Sequence, residues 1–172
     1  MRSLFSDHAL IDALQRQFAI HWHGHHGIAH WSRVRLNGKE LAVGTDADMH
    51  VIELFALFHD SRRLNEGIDD GHGSRGFELA KQWQGKYFQA TKTQMGLLEF
   101  ACKHHSDGVM DGPLTAQICW DADRLDLLRV GTMPLAKYLC TAQAKDPQQR
   151  ERSNKRAKAW SEHFAAGRFF NA

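Results

Sequence analysis

The segment "DADMHVIELFALFH", residues 46–59, is apolar around most of its helical circumference. Only a helix enclosed on all sides tolerates that pattern, so the segment predicts a central helix, with Thr45, Asp46 or Asp48 available to cap its start. Directly behind its last turn stand His59, Asp60, Arg62 and Arg63. A buried polar group costs free energy unless hydrogen-bonded, and a buried charge costs more unless paired or bound to metal. Either the His-Asp pair lies at the wet end of a core helix, or a cation is bound there.

The rest of the chain is patterned to surround such a helix. Prolines occur only at positions 113, 134 and 147, and the long segments between them have helical rather than alternating periodicity, which predicts an all-α, single-domain bundle. "SDHALIDALQRQFAIHW" places Leu10, Ile11, Leu14, Phe18 and Ile20 mostly on one stripe, with Ser6 or Asp7 as N-cap. A second helix is expected over residues 26–43. The Gly-, Asp- and Asn-rich stretch at 63–73 reads as a loop, and further helices are expected near 74–84, 93–104, 114–129 and 135–145. From residue 146 the composition turns to Arg, Lys, Gln and Ala, which divides the chain into a helical domain over 1–145 and a basic helical tail over 146–172. Phe169 and Phe170 in that tail are expected to dock on the domain or on a partner subunit, a possible homodimer.

Composition narrows the function. The 172 residues suit one domain, and a net charge of +2 does not predict nucleic-acid binding. The local basic run "QQRERSNKRAK" reads as a solvated helix face. Cys102, Cys119 and Cys140 are odd in number and never spaced C-x-x-C, which points to reduced thiols in the cytoplasm. Asp7, His8 and Asp12 interrupt any signal-peptide core, and no run approaches the roughly 20 apolar residues of a membrane span, so no membrane partner is expected. Twelve histidines stand against two tyrosines.

Several of these histidines, with aspartates, fall at expected helix ends and loops: His30, His59, Asp60, His72, His104, His105 and Asp123. Antiparallel helices could gather them at one end of a bundle, where imidazole and carboxylate ligands close on a transition metal. The ordered motifs "HGIAHWSRV", "LFALFHDSRR", "GHGSRGFELA", "CKHHSDG" and "CWDADRLDLLRVG" resemble the HD-domain phosphohydrolase superfamily over residues 24–131. That resemblance implies a helical bundle of the HD-domain type in which His30, His59, Asp60 and Asp123 hold a metal. It selects Asp123 over Asp121, and implies that His72 with His104 or His105 holds a second ion. The neighbouring "HWHGHH" cluster, including His26, reads as surface or N-cap residues, and the five tryptophans read as packing.

The resemblance further implies hydrolysis of a phosphate ester by metal-activated water. Asp60 would ligate and orient that water, His104 or His105 would protonate the leaving oxygen, and Arg33 or Lys103 would contact the phosphate. Arg62 and Arg63 are further candidates for that contact. Mixed imidazole and carboxylate ligands favour Mn, Fe, Co, Ni or Zn over Mg. The substrate expected is a small phosphorylated molecule of the nucleotide class. Two alternatives use the same residues: a di-iron oxygenase of this fold, and a non-catalytic, metal-stabilised nucleotide-binding protein.

Overall fold

In the computed structural model, which describes residues 3–166, the chain is all-helical: α1 (His8–Gln17), α2 (Ile28–Leu41), α3 (Met49–Phe58), α4 (His72–Trp83), α5 (Lys92–His104), α6 (Leu114–Arg124), α7 (Ala142–Lys145) and α8 (Pro147–Ala165). Short 3-10 turns occupy Leu4–Ser6, Leu127–Val130 and Ala136–Tyr138. No strand occurs among the described residues beyond an isolated bridge between Gln84 and Phe88. Phe169 and Phe170 lie outside the described residues.

Helix α3 is the axis of the bundle. Asp48 starts it by accepting from the backbone N–H groups of His50 and Val51, and Val51, Ile52, Leu54, Phe55, Ala56, Leu57 and Phe58 are all buried. They meet α2, α4, α5 and α6, so burial of each large apolar side chain contributes about 1.5–3 kcal/mol. Glu53, the acidic residue of α3, turns outward and accepts from Ser3 Oγ at 2.7 Å, from Leu4 N at 3.1 Å and from Arg35 Nε at 2.6 Å.

Close backbone approach sets where the surrounding helices sit. The second helix begins at Ile28 rather than His26, because Ile28 N–H donates to Trp22 O and Gly27 occupies the N-cap. A Cβ on Gly27 would lie 1.9 Å from that same carbonyl oxygen. The expected loop at 63–73 ends sooner, at Gly71, whose φ of +76° suits glycine, and His72 opens α4. Behind it, a Cβ on Gly73 would meet Cys102 O of α5 at 2.0 Å, and one on Gly76 would meet Phe58 O of α3 at 2.0 Å. The motif "GHGSRG" thus lets α4 press its backbone against two neighbours.

Two other boundaries differ from expectation. The helix over 114–129 stops at Arg124, where Leu125 and Asp126 N–H groups bond back to Asp121 O and Asp123 O and the chain tightens into the 127–130 turn. The stretch 135–145 is not one helix. The buried Asp121 carboxylate accepts from the N–H groups of Cys140 and Thr141 and from Thr141 Oγ1, which holds those residues extended before Thr141 caps α7.

Asp146 caps α8, and Gln149, Ser153, Ala157 and Trp160 form its buried stripe. Ser153 Oγ donates to Asn37 Oδ1 at 3.0 Å, Arg156 pairs with Glu40 at 2.8 Å, and the Arg33 guanidinium lies 4.7 Å from the Trp160 ring centre. The basic run lines the other face, where Lys155 pairs with Glu151 and Lys158 with Glu162.

Replacing Gly76 with Ala should destabilise the protein by about 3 kcal/mol through backbone collision with Phe58. Replacing the exposed Gly96 of α5, whose Cβ would meet nothing within 4 Å, should instead stabilise it by about 0.5–1 kcal/mol. Paired thermal melts followed by circular dichroism read both signs.

Candidate metal centre

The end of α3 leads directly into the site. The helix ends at Phe58, His59 caps it, and residues 60–63 turn sharply, with Ser61 N–H bonded to Phe58 O and Arg63 N–H to Asp60 O. This turn brings adjacent His59 and Asp60 side chains into one buried volume, where His59 is 0% and Asp60 2% exposed.

Two imidazole pairs flank the Asp60 carboxylate. In the first, His30 from α2 and His59 face each other with Nε2 atoms 3.1 Å apart. Asp60 Oδ2 lies 3.6 Å from each, and Asp123 Oδ1 from α6 lies 3.3 Å from His30 and 3.8 Å from His59. In the second pair, His72 at the start of α4 and His105 at the end of α5 bring their Nε2 atoms within 2.8 Å. Asp60 Oδ1 lies 3.2 Å from His72 and 3.8 Å from His105.

The other face of every ring is committed. His30 Nδ1 donates to Asp126 Oδ2, His59 Nδ1 to Phe55 O, His72 Nδ1 to Asp69 O and His105 Nδ1 to Cys102 O. Carbonyl oxygens and carboxylates accept only, so these partners fix the tautomers and leave the Nε2 lone pairs converging within each pair. Such lone pairs repel unless a cation lies between them. Metal–ligand bonds of about 2.1 Å place neighbouring ligand atoms roughly 3.0–3.5 Å apart, which matches this spacing. The buried groups His30, His59, Asp60 and Asp60, His72, His105 could therefore hold one or two metal ions, with Asp60 shared.

Electrostatics agree with this arrangement. Burial pushes the His59 imidazolium down to about 3, despite the opposing pull of Asp60 and Asp123, so the ring stays neutral. Burial alone would raise Asp60, but the surrounding imidazoles of His59, His105, His26 and His72 hold its carboxyl well below the usual range. Asp123 is likewise held down against the effect of burial by His30 and His59, and Asp126 by His30 and Arg33. His105 moves upward, because Asp60 and Asp123 outweigh its burial.

Five residues named from sequence lie outside the ligand cluster. His104 points to solvent and bonds Asp107 Oδ2 at 3.0 Å, since one step along a helix rotates a side chain by about 100° and only His105 faces inward. Lys103 pairs with Glu99 on the surface. Arg33 reaches Asp126 through Nε at 2.6 Å and Nη2 at 2.9 Å, so it clamps the carboxylate that orients His30. Asp121 caps the 140–141 segment, and Arg62 bonds Gln17.

Three residues join the site that the sequence reading did not place there: His26, Asp126 and Arg129. His26 leaves the "HWHGHH" cluster and donates Nδ1–H to Asp60 Oδ2 at 2.9 Å. Asp126 stands three residues after Asp123, a helical spacing that signals a shared face. A cleft of about 290 Å³ opens onto the site and is bordered by His26, Asp60, Arg63, His72, His105, Asp123 and Arg129.

The metal-stripped protein should lose stability in acid. An unfolded His59 takes up its proton near 6.5, but the folded one only near 3, so its contribution, on the order of 5 kcal/mol, is complete above the first value and vanishes toward the second. His105, shifted upward, opposes part of this change. Urea unfolding across that pH range should show the falling midpoint, and His59→Leu should flatten it.

No family model matches the chain, and no curated protein shows detectable similarity. One solved structure does: the crystal structure of a predicted HD superfamily hydrolase from an uncultured Thermotogales bacterium, with TM-score 0.64 and 24% identity over 92% of this chain and 91% of that one. This chain therefore has the fold of an HD-superfamily protein, as its motif order implied. Among the described residues no helix is long and apolar enough to cross a membrane.

Proposed function

We propose that this protein is a metal-dependent phosphohydrolase that cleaves a phosphate ester of a small molecule, with nucleotides as the class its motif resemblance suggests. The observation that carries the reading is the Asp60 carboxylate set between two imidazole pairs whose outer nitrogens are all engaged. His30, His59, Asp60 and Asp123 would hold a first ion, and Asp60, His72 and His105 a second. The nitrogen-rich donor set favours Mn, Fe, Co, Ni or Zn. When bound, a divalent ion supplies a Lewis acid that lowers the pKa of water and offsets phosphoryl charge.

The protein's own groups would do the rest. His26 orients Asp60 through its Nδ1–H. Arg63 and Arg129, both on the cleft, would meet the phosphate oxygens in place of Arg33 and Lys103. The Arg63 guanidinium is pinned for this by Asn65 O and Gly67 O and points Nη1 at the second pair, 3.2 Å from His72 Nε2. The three cysteines are free, in keeping with the cytoplasmic location we propose.

A di-iron oxygenase is the second reading. The shared carboxylate favours it equally, with His105 rather than His104 completing the second imidazole pair. Iron content and oxygen consumption separate the two.

Elemental analysis of purified protein should find transition metal, and His59→Ala and Asp60→Asn should each lower its affinity by at least about 100-fold. Asp126→Asn, which loosens His30 without touching the ion, should weaken binding by about 10- to 100-fold. A phosphatase screen with added Mn or Co should then show turnover that fails in the same variants. Unchanged metal content in both His59→Ala and Asp60→Asn would refute the assignment.

A further inference from the structure

A second cavity, of about 320 Å³, adjoins the metal cleft. Its walls carry the apolar side chains of Met110, Leu127, Met133, Pro134, Leu135 and Leu139. The two spaces are neighbours, since Gly108, Arg124 and Leu127 border both. At that border stands Gly108, which has no side chain to separate them.

The charged wall residue turns both terminal nitrogens of its guanidinium to the wall itself. Arg124 donates through Nη2 to Val109 O at 2.6 Å and through Nη1 to Tyr138 O at 3.1 Å and Cys140 Sγ at 3.3 Å. Its role is to tie the wall together. The same wall is held by Asp121 through Cys140 and Thr141, and by Thr132 N–H bonded to Leu127 O. The cavity is therefore built by fixed backbone. Its rim leaves Met110 44%, Met133 53% and Leu135 45% exposed, a concentration of large apolar side chains that isolated surface residues do not account for.

We propose that this cavity receives a hydrocarbon leaving group, so that the substrate is a phosphate monoester of an apolar alcohol. The inference rests on the phosphohydrolase reading and narrows it. The phosphate would sit at the cleft among His26, Arg63 and Arg129, while the hydrocarbon runs past Gly108 and Leu127 into the cavity. Water's oxygen bonds to phosphorus, the ester P–O bond breaks, and the alcohol leaves carrying one of the water protons. A nucleobase fits less well, because Thr132 and Tyr138 are, beside Arg124, the polar exceptions in a lining made mostly of Met, Leu and Pro side chains, which offer its edge donors and acceptors no partners in exchange for water. Thioether side chains, by contrast, adapt to flexible hydrocarbon.

The test is a ladder of n-alkyl phosphates from methyl to octyl with the metal-loaded full-length protein, beside nucleoside monophosphates. The value of kcat/KM should rise roughly three- to fourfold per methylene until the cavity fills. Calorimetric titration with the matching n-alkylphosphonates should show affinity rising with length and an increasingly negative heat-capacity change. Leu135→Asp and Met133→Asp, at half-exposed positions, should flatten both ladders. Should either variant fold poorly by circular dichroism, the wild-type ladders still decide. Equal turnover of methyl and octyl phosphate, or nucleoside monophosphates preferred over octyl phosphate, would overturn the inference and leave the hydrolase reading standing. A rising phosphonate ladder without turnover of any ester would overturn the hydrolase reading and keep the ligand class.

Discussion

The structure depends on one carboxylate, that of Asp60, held almost wholly out of water at the end of the most apolar helix in the chain. A bare charge there would be prohibitively costly, and the fold answers with imidazoles from four different segments. Each of those rings is held by a hydrogen bond on its far side, three of them to backbone carbonyls that belong to regular helix ends or turns. The side chains are consequently aimed before any ligand arrives. Preorganisation of this kind is what a metal site needs, because the cost of gathering repelling donors is met during folding.

The second imidazole pair owes its geometry to missing side chains. His72 and His105 meet because α4 approaches α5 at Gly73 and α3 at Gly76, closer than any Cβ would allow. The first pair is fixed differently, through charge. Arg33 and His30 share Asp126, and the Trp160 ring covers the guanidinium from the far side. Steric approach positions one half of the site, and a buried ion pair positions the other.

Much of this was legible in the sequence because it is periodic. The enclosed central helix follows from apolar spacing, Asp48 is one of three residues available to cap it, and the gathering of His30, His59, Asp60 and Asp123 at one end of the bundle is implied by the motif resemblance. What could not be read depends on long-range competition. Arg33 lies one turn from His30 and so looks like a group facing the same ligand, but Asp126, 93 residues away, captures it. His104 and His105 are chemically identical neighbours, and only the packing of α4 decides which one turns inward. The segment 135–145 has helical composition, yet Asp121 extends it by taking its N–H groups. His26 carries no periodic signal at all, and the turn that aims it is made by Gly27 folding back on Trp22.

The chain of contacts from His30 through Asp126 and Arg33 to Trp160 has a temporal meaning. His30 is separated from Asp126 by 96 residues, and the ring that backs Arg33 lies in the last helix. Domains tend to complete their packing only once such distant partners have left the ribosome, since non-local contacts require the intervening loop to close first. A nascent chain would therefore expose His26, His30, His59, His72 and His105 in turn without an assembled pocket, and a metal ion could be held firmly only after α8 has packed.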